Sequence, residues 1–193
     1  MVLRLPTEPS RHRVAVWREL RRGGAVQLGP GSWALPAQPV FAEIVGRVVE
    51  LVRRGEGELI TLDASARDEA SSARLEATYT EAREAEWVEF VSDCAKFVAE
   101  LDHEIAIEKF TLAELDEEEQ SLERLRRWHR ELTVRDVFGG PSAGAAQARL
   151  TDCASRLEDF TERVFQALDP DAPSTGSWTA HVGSTDASGS APL

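Results

Sequence analysis

The chain has 193 residues, with hydrophobic residues at 42%, charged residues at 29% and a net charge of −12. That mix suits one folded domain, or one small domain plus an extension, and excludes a fibrous or low-complexity chain. Two cysteines, Cys94 and Cys153, are too few for a disulfide scaffold, so packing holds the fold and a reducing cytoplasm suits it. No window is apolar enough to span a bilayer and Met1 to Pro6 offers no signal-peptide core, so the expectation is a cytoplasmic protein with no membrane role.

The charge is divided along the chain. Residues 1–62 hold nine arginines against six glutamates, a sum of +3, and the remainder sums to −15. The acidic total works against non-specific binding of a polyanion. A local basic face can still hold DNA if the acidic half is turned away.

Val2 to Leu5 reads as a short strand, and Ser10 to Arg22 as a helix with Val14, Trp17, Leu20 and Arg21 at helical spacing, stopped by Gly23-Gly24. Ala25 to Leu28 and Ser32 to Leu35 flank Gly29-Pro30-Gly31 as a hairpin. Phe41, Ile44, Val45, Val48, Val49 and Val52 form a second helical stripe, and Glu58 to Leu62 returns to strand character. The order βαββαβ predicts an α+β protein whose first unit, residues 1–66, is a ferredoxin-like layer with two helices on one sheet face and the other face open for a partner.

Residues 67–168 show no strand pattern and read as an antiparallel helical extension packed on that layer or on a partner subunit. Leu75 to Ile105 carries a wide stripe through Tyr79, Trp87, Phe90, Cys94, Phe97 and Leu101, as one or two long helices. Thr111 with Glu114 three residues on is a capping box, opening a helix marked by Leu115, Leu122, Leu125, Trp128 and Leu132. After Gly139-Gly140-Pro141, a last helix runs through Leu150, Cys153, Leu157, Phe160 and Val164 to about Leu168. Residues 169–193 are dense in small and polar residues and predict a disordered tail, with Trp178 and His181 as its only anchors.

Two stretches resemble a known family. The first is Arg4-Leu-Pro-Thr-Glu-Pro-Ser-Arg-His-Arg-Val-Ala-Val-Trp-Arg-Glu-Leu-Arg-Arg22 with the Ser32-Trp-Ala-Leu-Pro36 hairpin. The second is Lys109-Phe-Thr-Leu-Ala-Glu-Leu115, continuing through Glu123, Leu125, Arg126, Arg127 and Trp128 to Arg135-Asp-Val-Phe-Gly139. Together, over about residues 2–140, they resemble the N-terminal domain of ChrB, the chromate-resistance regulatory protein of bacteria. The resemblance implies a cytoplasmic bacterial transcriptional regulator that responds to chromate. The element order is also similar to the Cas2-like layer of PaaX-type regulators, an analogy of fold alone. Members of the family carry a further C-terminal domain, so the chain, ending in its low-complexity tail, reads as a stand-alone form.

Arg11, Arg13, Arg18, Arg21 and Arg22 crowd the first helix. Arg11, Arg18 and Arg22 recur at seven and four residues and share a face, with Val14, Trp17 and Leu20 turned to the sheet. This face suits contact with DNA phosphates, against the plainer reading of a solvated face paired with Glu8, Glu19 and the acidic helices. At the helix start, Ser10, Arg11 and Arg13 suit an oxyanion of chromate's shape, with a Ser10 hydroxyl cap, although the same geometry takes sulfate or phosphate.

Glu100 and His103 make a single Glu-x-x-His step, and His129 lacks the matching carboxylate, so no metal site and no cofactor are expected. Cys94 and Cys153 fall on apolar stripes and read as core residues, with a disulfide between them left open by the sequence, and Trp17, Trp33, Trp87 and Trp128 read as packing residues. No nucleotide loop, nucleophile elbow or metalloprotease motif is present, which predicts a non-enzymatic protein. The functional expectation is a homodimeric DNA-binding regulator of an oxyanion-stress operon. The alternative is a protein-interaction module that uses its acidic helices and binds no DNA.

Overall fold

The computed structural model describes residues 1–170, so the predicted tail lies outside the described residues from position 171 on. Four short strands, β1 (Val2–Arg4), β2 (Val26–Gly29), β3 (Ser32–Ala34) and β4 (Glu58–Ile60), alternate with helices α1 (Ser10–Arg22) and α2 (Ala42–Arg54). The strands form one sheet in the order β2-β3-β1-β4, and each neighbouring pair is antiparallel. The β2–β3 connection needs a glycine. Gly31 has φ +68, and a Cβ there would lie 2.5 Å from the Leu3 carbonyl oxygen, which accepts no such neighbour.

Register divides the sheet into two faces. Leu3, Trp33 and Leu59 point to one side, where Val16 and Leu20 of α1 and Val48 and Val52 of α2 close a core over them. Val2, Ile60, Ala34 and Val26 point to the other, as their pairing Val2 to Ile60 and Val26 to Ala34 requires. That second face is not left open along its whole width. Tyr79, Ala82 and Phe41 cover Val26 and Ala34, while Val2 and Ile60 at the β4 edge stay exposed.

Three long helices follow: α3 (Glu69–Ala106), α4 (Leu112–Arg135) and α5 (Ala143–Leu168). The Leu75 to Ile105 stripe belongs to a single 38-residue helix, opened by Asp68, whose side chain accepts from the Ser71 N–H. Thr111 caps α4 through its hydroxyl on the Glu114 N–H at 3.2 Å. Buried positions 79, 83, 87, 90, 94, 97, 101 and 104 of α3 step by four and three, the spacing that keeps one seam against neighbouring helices. Trp87, Phe90, Leu101, Leu132, Cys153 and Phe160 lie in the common core of these helices, which the chain builds from its own segments.

Between α4 and α5 the break at Gly139-Gly140-Pro141 is organised by Asp136. Its Oδ2 accepts from the Trp87 indole N–H at 2.8 Å and from the Gly140 N–H at 2.7 Å. Ser142 donates through its backbone N–H to Glu84 at 3.0 Å. These bonds satisfy polar groups at the bundle end that burial would otherwise leave unpaired.

Candidate functional site

Helix α1 concentrates the positive charge of the front half. Its buried residues are Val16, Glu19 and Leu20, so the arc turned to the sheet is not the expected one. Leu20 packs as predicted, whereas Val14 is 43% exposed and Trp17 50% exposed. The physical reason is phase: four apolar residues at 14, 16, 17 and 20 define two overlapping arcs, and Val16 with Leu20 fills the space over Trp33. Trp17 is therefore a surface residue, with the Arg21 guanidinium 5.6 Å from its ring centre. Trp33 and Trp87 are buried, and Trp128 packs half-buried against the bundle core.

The exposed arc carries Arg11, Arg18, Arg21 and Arg22, and Arg13 is exposed on the other side of the first turn. Among the described residues, Arg22 is paired, its Nη2 lying 2.7 Å from Glu19 Oε2. Glu19 also accepts from Arg47 Nε of α2 at 2.5 Å. Burial acts to raise the Glu19 carboxyl, but the hydrogen bonds from Arg47 and Arg22 outweigh it and hold the group below its usual range. Arg11, Arg13, Arg18 and Arg21 have no ion pair among the described residues, and all four are exposed. Of the carboxylates expected to neutralise this face, Glu19 engages only its Arg22 border.

The start of α1 differs from the expected anion cradle in one respect. The N-cap is Pro9, with no side-chain cap, and Ser10 is the first helical residue, so its hydroxyl does not close the helix end. No acidic residue stands in the first turn, and Arg21 and Arg22 sit in the last, where the helix dipole favours them. Ser10, Arg11 and Arg13 are all exposed there. Arg11 and Arg13, two residues apart, leave the helix on nearly opposite sides.

Elsewhere, Glu100 and His103 are both exposed on α3. His129 sits 5.3 Å from the Trp87 ring and 5.4 Å from Phe90, and burial lowers its pKa. Cys94 and Cys153 are buried free thiols, with Cys153 Sγ 3.6 Å from the Cys94 carbonyl oxygen. The hydrogen bond with Cys153 and then burial push the Cys94 thiol up, away from the reactive thiolate. Two features of this surface are not apparent from the sequence: the exposure of Trp17 and the tie from Arg47 to Glu19. Glu43, four residues before Arg47 and bonded to it, is a local signal that Arg47 belongs to an ion-pair network.

The molecule is thus an α+β protein in which a small antiparallel sheet presents an arginine-rich helix and carries a three-helix bundle. The family model described as "Protein ChrB, N-terminal" matches residues 13–171, and the chain belongs to that chromate-resistance family. The match takes in α5 as well, beyond the stretch that carries the visible resemblance, and it begins inside α1, so Arg13, Arg18, Arg21 and Arg22 fall within it. No curated protein and no solved structure matches the chain. Among the described residues, no helix is long and apolar enough to cross a membrane.

Proposed function

We propose that the protein is a non-catalytic, cytoplasmic transcriptional regulator of chromate or oxyanion stress that binds DNA through α1. The observation that carries this reading is the exposed arc of Arg11, Arg18 and Arg21, with Arg13 exposed beside the helix start, all four without carboxylate partners among the described residues. Guanidinium groups in that state retain full capacity for phosphate oxygens, and Trp17 adds an aromatic surface at the same arc. Arg22 contributes less because Glu19 already engages it.

The strand order β2-β3-β1-β4, with both α1 and α2 on one face, supports the ferredoxin-like, Cas2-like layout as the scaffold of this reading. A homodimer is part of the proposal. Exposed Val2 and Ile60, with Leu62 beyond them, give the β4 edge an apolar patch that a second copy would cover. Chromate acts as the inducer, meeting the exposed start of α1 at Ser10 and Arg11, since Arg13 leaves the helix on the other side.

The test is binding of the full chain to its own upstream DNA and to an unrelated duplex at two salt concentrations, with and without chromate. The expected result is tighter binding to the upstream duplex, steep salt dependence and release by chromate. Arg18→Ala with Arg21→Ala is expected to lower the log–log salt slope by about 2. Absence of binding to either duplex at low salt overturns the DNA reading.

A further inference from the structure

Between α3 and α4 lies an open groove of about 790 Å³, lined among others by Phe97, Glu100, Glu104, Glu118, Leu125 and Trp128. Two of its glutamates occupy positions where the helix pattern calls for apolar residues. Glu104 continues the buried seam of α3 after Leu101, and Glu118 stands in the buried series of α4 between Leu115 and Leu122. Glu104 is 4% exposed and Glu118 5% exposed. A carboxylate in such a position is costly unless something compensates it.

The chain supplies only part of that compensation. Lys109 Nζ lies 2.8 Å from Glu114 and 3.5 Å from Glu104 Oε2, an oxygen that is buried without a hydrogen bond. Glu118 has neither a hydrogen bond nor an ion pair among the described residues, and it faces the groove. Burial, and then Glu100, Glu117, Glu104 and Glu114 around it, push its carboxyl up to about 7. The groove therefore holds, beside the apolar side chains of Phe97, Leu125 and Trp128, a largely buried acid that has no protein partner and whose oxygens open to the groove; Lys96, Lys109, Arg124 and Arg127 line the groove too, fewer than its seven carboxylates.

The chemistry that answers both features is a cationic head on an alkyl chain. Among the described residues, no group of three or more metal-binding side chains is gathered tightly enough to hold a metal ion. We propose that this groove binds a free linear polyamine, with an ammonium group on Glu118 and its methylenes along Phe97, Leu125 and Trp128. A cation on Glu118 favours the ionised acid, so binding near neutral pH releases a proton. The inference stands apart from the DNA reading, because it uses α3 and α4 and no residue of α1.

Calorimetric titration of the full chain in low-salt buffer, without DNA, tests it with spermidine and with a tetralysine peptide as probes. The expected result is saturable binding with proton release at pH 7, seen as a heat that changes with the ionisation enthalpy of the buffer. Glu118→Gln is expected to weaken binding by at least about tenfold. Glu100→Gln, at an exposed position, should weaken it less and leaves folding unaffected, so it reports on the groove even if Glu118→Gln were to perturb the bundle. Binding of spermidine that tetralysine does not match supports the free polyamine, and binding of tetralysine alone overturns it. Absence of saturable binding by both probes, unchanged affinity in both variants, or equal binding of magnesium ions overturns the proposal.

Discussion

Arg83 of α3 donates through Nη1 to the carbonyl oxygen of Gly24 at 2.7 Å, joining the helical bundle to the end of α1. The guanidinium is nearly inaccessible, pairs with Glu86 at 2.9 Å and lies 4.8 Å from the Tyr79 ring centre. Arg135 of α4 reinforces the joint by donating to the Arg22 carbonyl and, at 3.1 Å, to Glu86. Tyr79 in turn donates its hydroxyl to the Arg135 carbonyl at 2.9 Å. The backbone at the C-terminus of α1 is thus held by side chains from α3 and α4, which fixes the basic helix relative to the bundle. Arg83→Met is expected to destabilise the chain by about 2–4 kcal/mol, since it takes the donor from the Gly24 carbonyl and leaves Glu86 with Arg135 alone. Chemical denaturation checks this, and a change below about 0.5 kcal/mol would mean the joint is dispensable.

Gly24 meets two demands at once. Its φ of +78 is a left-handed conformation, and an added Cβ would lie 2.8 Å from Arg83 Nη1 and 3.0 Å from Arg135 Cδ. Gly24→Ala therefore combines a backbone penalty of about 1–2 kcal/mol with displacement of both arginines. The expected outcome is a loss at least as large as that of Arg83→Met, and strongly sub-additive in the double variant because both act on one joint. Denaturation of the two single variants and the double variant measures that coupling.

Trp17 and Trp87 look alike in the sequence pattern and differ in the folded chain. Trp87 is 1% exposed, stacks edge-on with Phe90 and donates to Asp136, whereas Trp17 is half exposed. Trp87→Ala should cost about 3–5 kcal/mol and Trp17→Ala less than about 1 kcal/mol. Under the proposed function, Trp17→Ala also weakens DNA binding while the thermal transition stays near that of the parent. Loss of stability comparable to Trp87→Ala would return Trp17 to the core.

Much of the fold was legible because its elements are punctuated by local chemistry. Gly23-Gly24 ends α1, Thr111 caps α4 and Gly139-Gly140-Pro141 separates α4 from α5, each within its own few residues. The phase of α1 was not legible, since Val14 and Val16 are equally apolar and only Trp33 across the sheet selects between them. Nothing in the sequence pattern marks Arg83 or Arg135 for burial, because burial of an arginine depends on a carbonyl and a carboxylate supplied by other segments. Glu118 is hidden in the acidic run 117–119 and is distinguished only by its step from Leu115 and Leu122.

The cysteines allow a separate check of the bundle. Cys94 and Cys153 sit at 1% and 0% exposure between α3 and α5, and the hydrogen bond between them together with burial keeps the Cys94 thiol protonated. An aqueous thiol reagent is expected to label neither residue in the folded chain except through opening of the bundle. Labelling should accelerate with denaturant in step with loss of helical signal. Rapid stoichiometric labelling in native buffer would show that the α3–α5 seam opens far more readily than its packing implies.

Glu118 predicts an unusual pH dependence for an acidic protein. Its folded carboxyl is pushed up to about 7 from an ordinary 4.5, by burial first and by the surrounding carboxylates next. Between those two values the folded chain holds a proton that the unfolded chain has released, so this group's contribution falls as pH rises through the window. Below pH 4.5 both states are protonated and the group costs nothing; above pH 7 the full penalty applies. Glu118→Gln removes the charge while keeping the shape. It is expected to raise stability by about 1–3 kcal/mol at pH 8, because each tenfold gain in proton affinity on folding is worth about 1.4 kcal/mol, and to leave it nearly unchanged at pH 4.5. Urea denaturation of parent and variant across that range checks both ends. A gain at pH 8 that coincides with loss of spermidine binding would mean that the same carboxylate is a burden to the empty fold and the anchor of its ligand. An equal effect at both pH values would place the cause in packing and remove the charge argument.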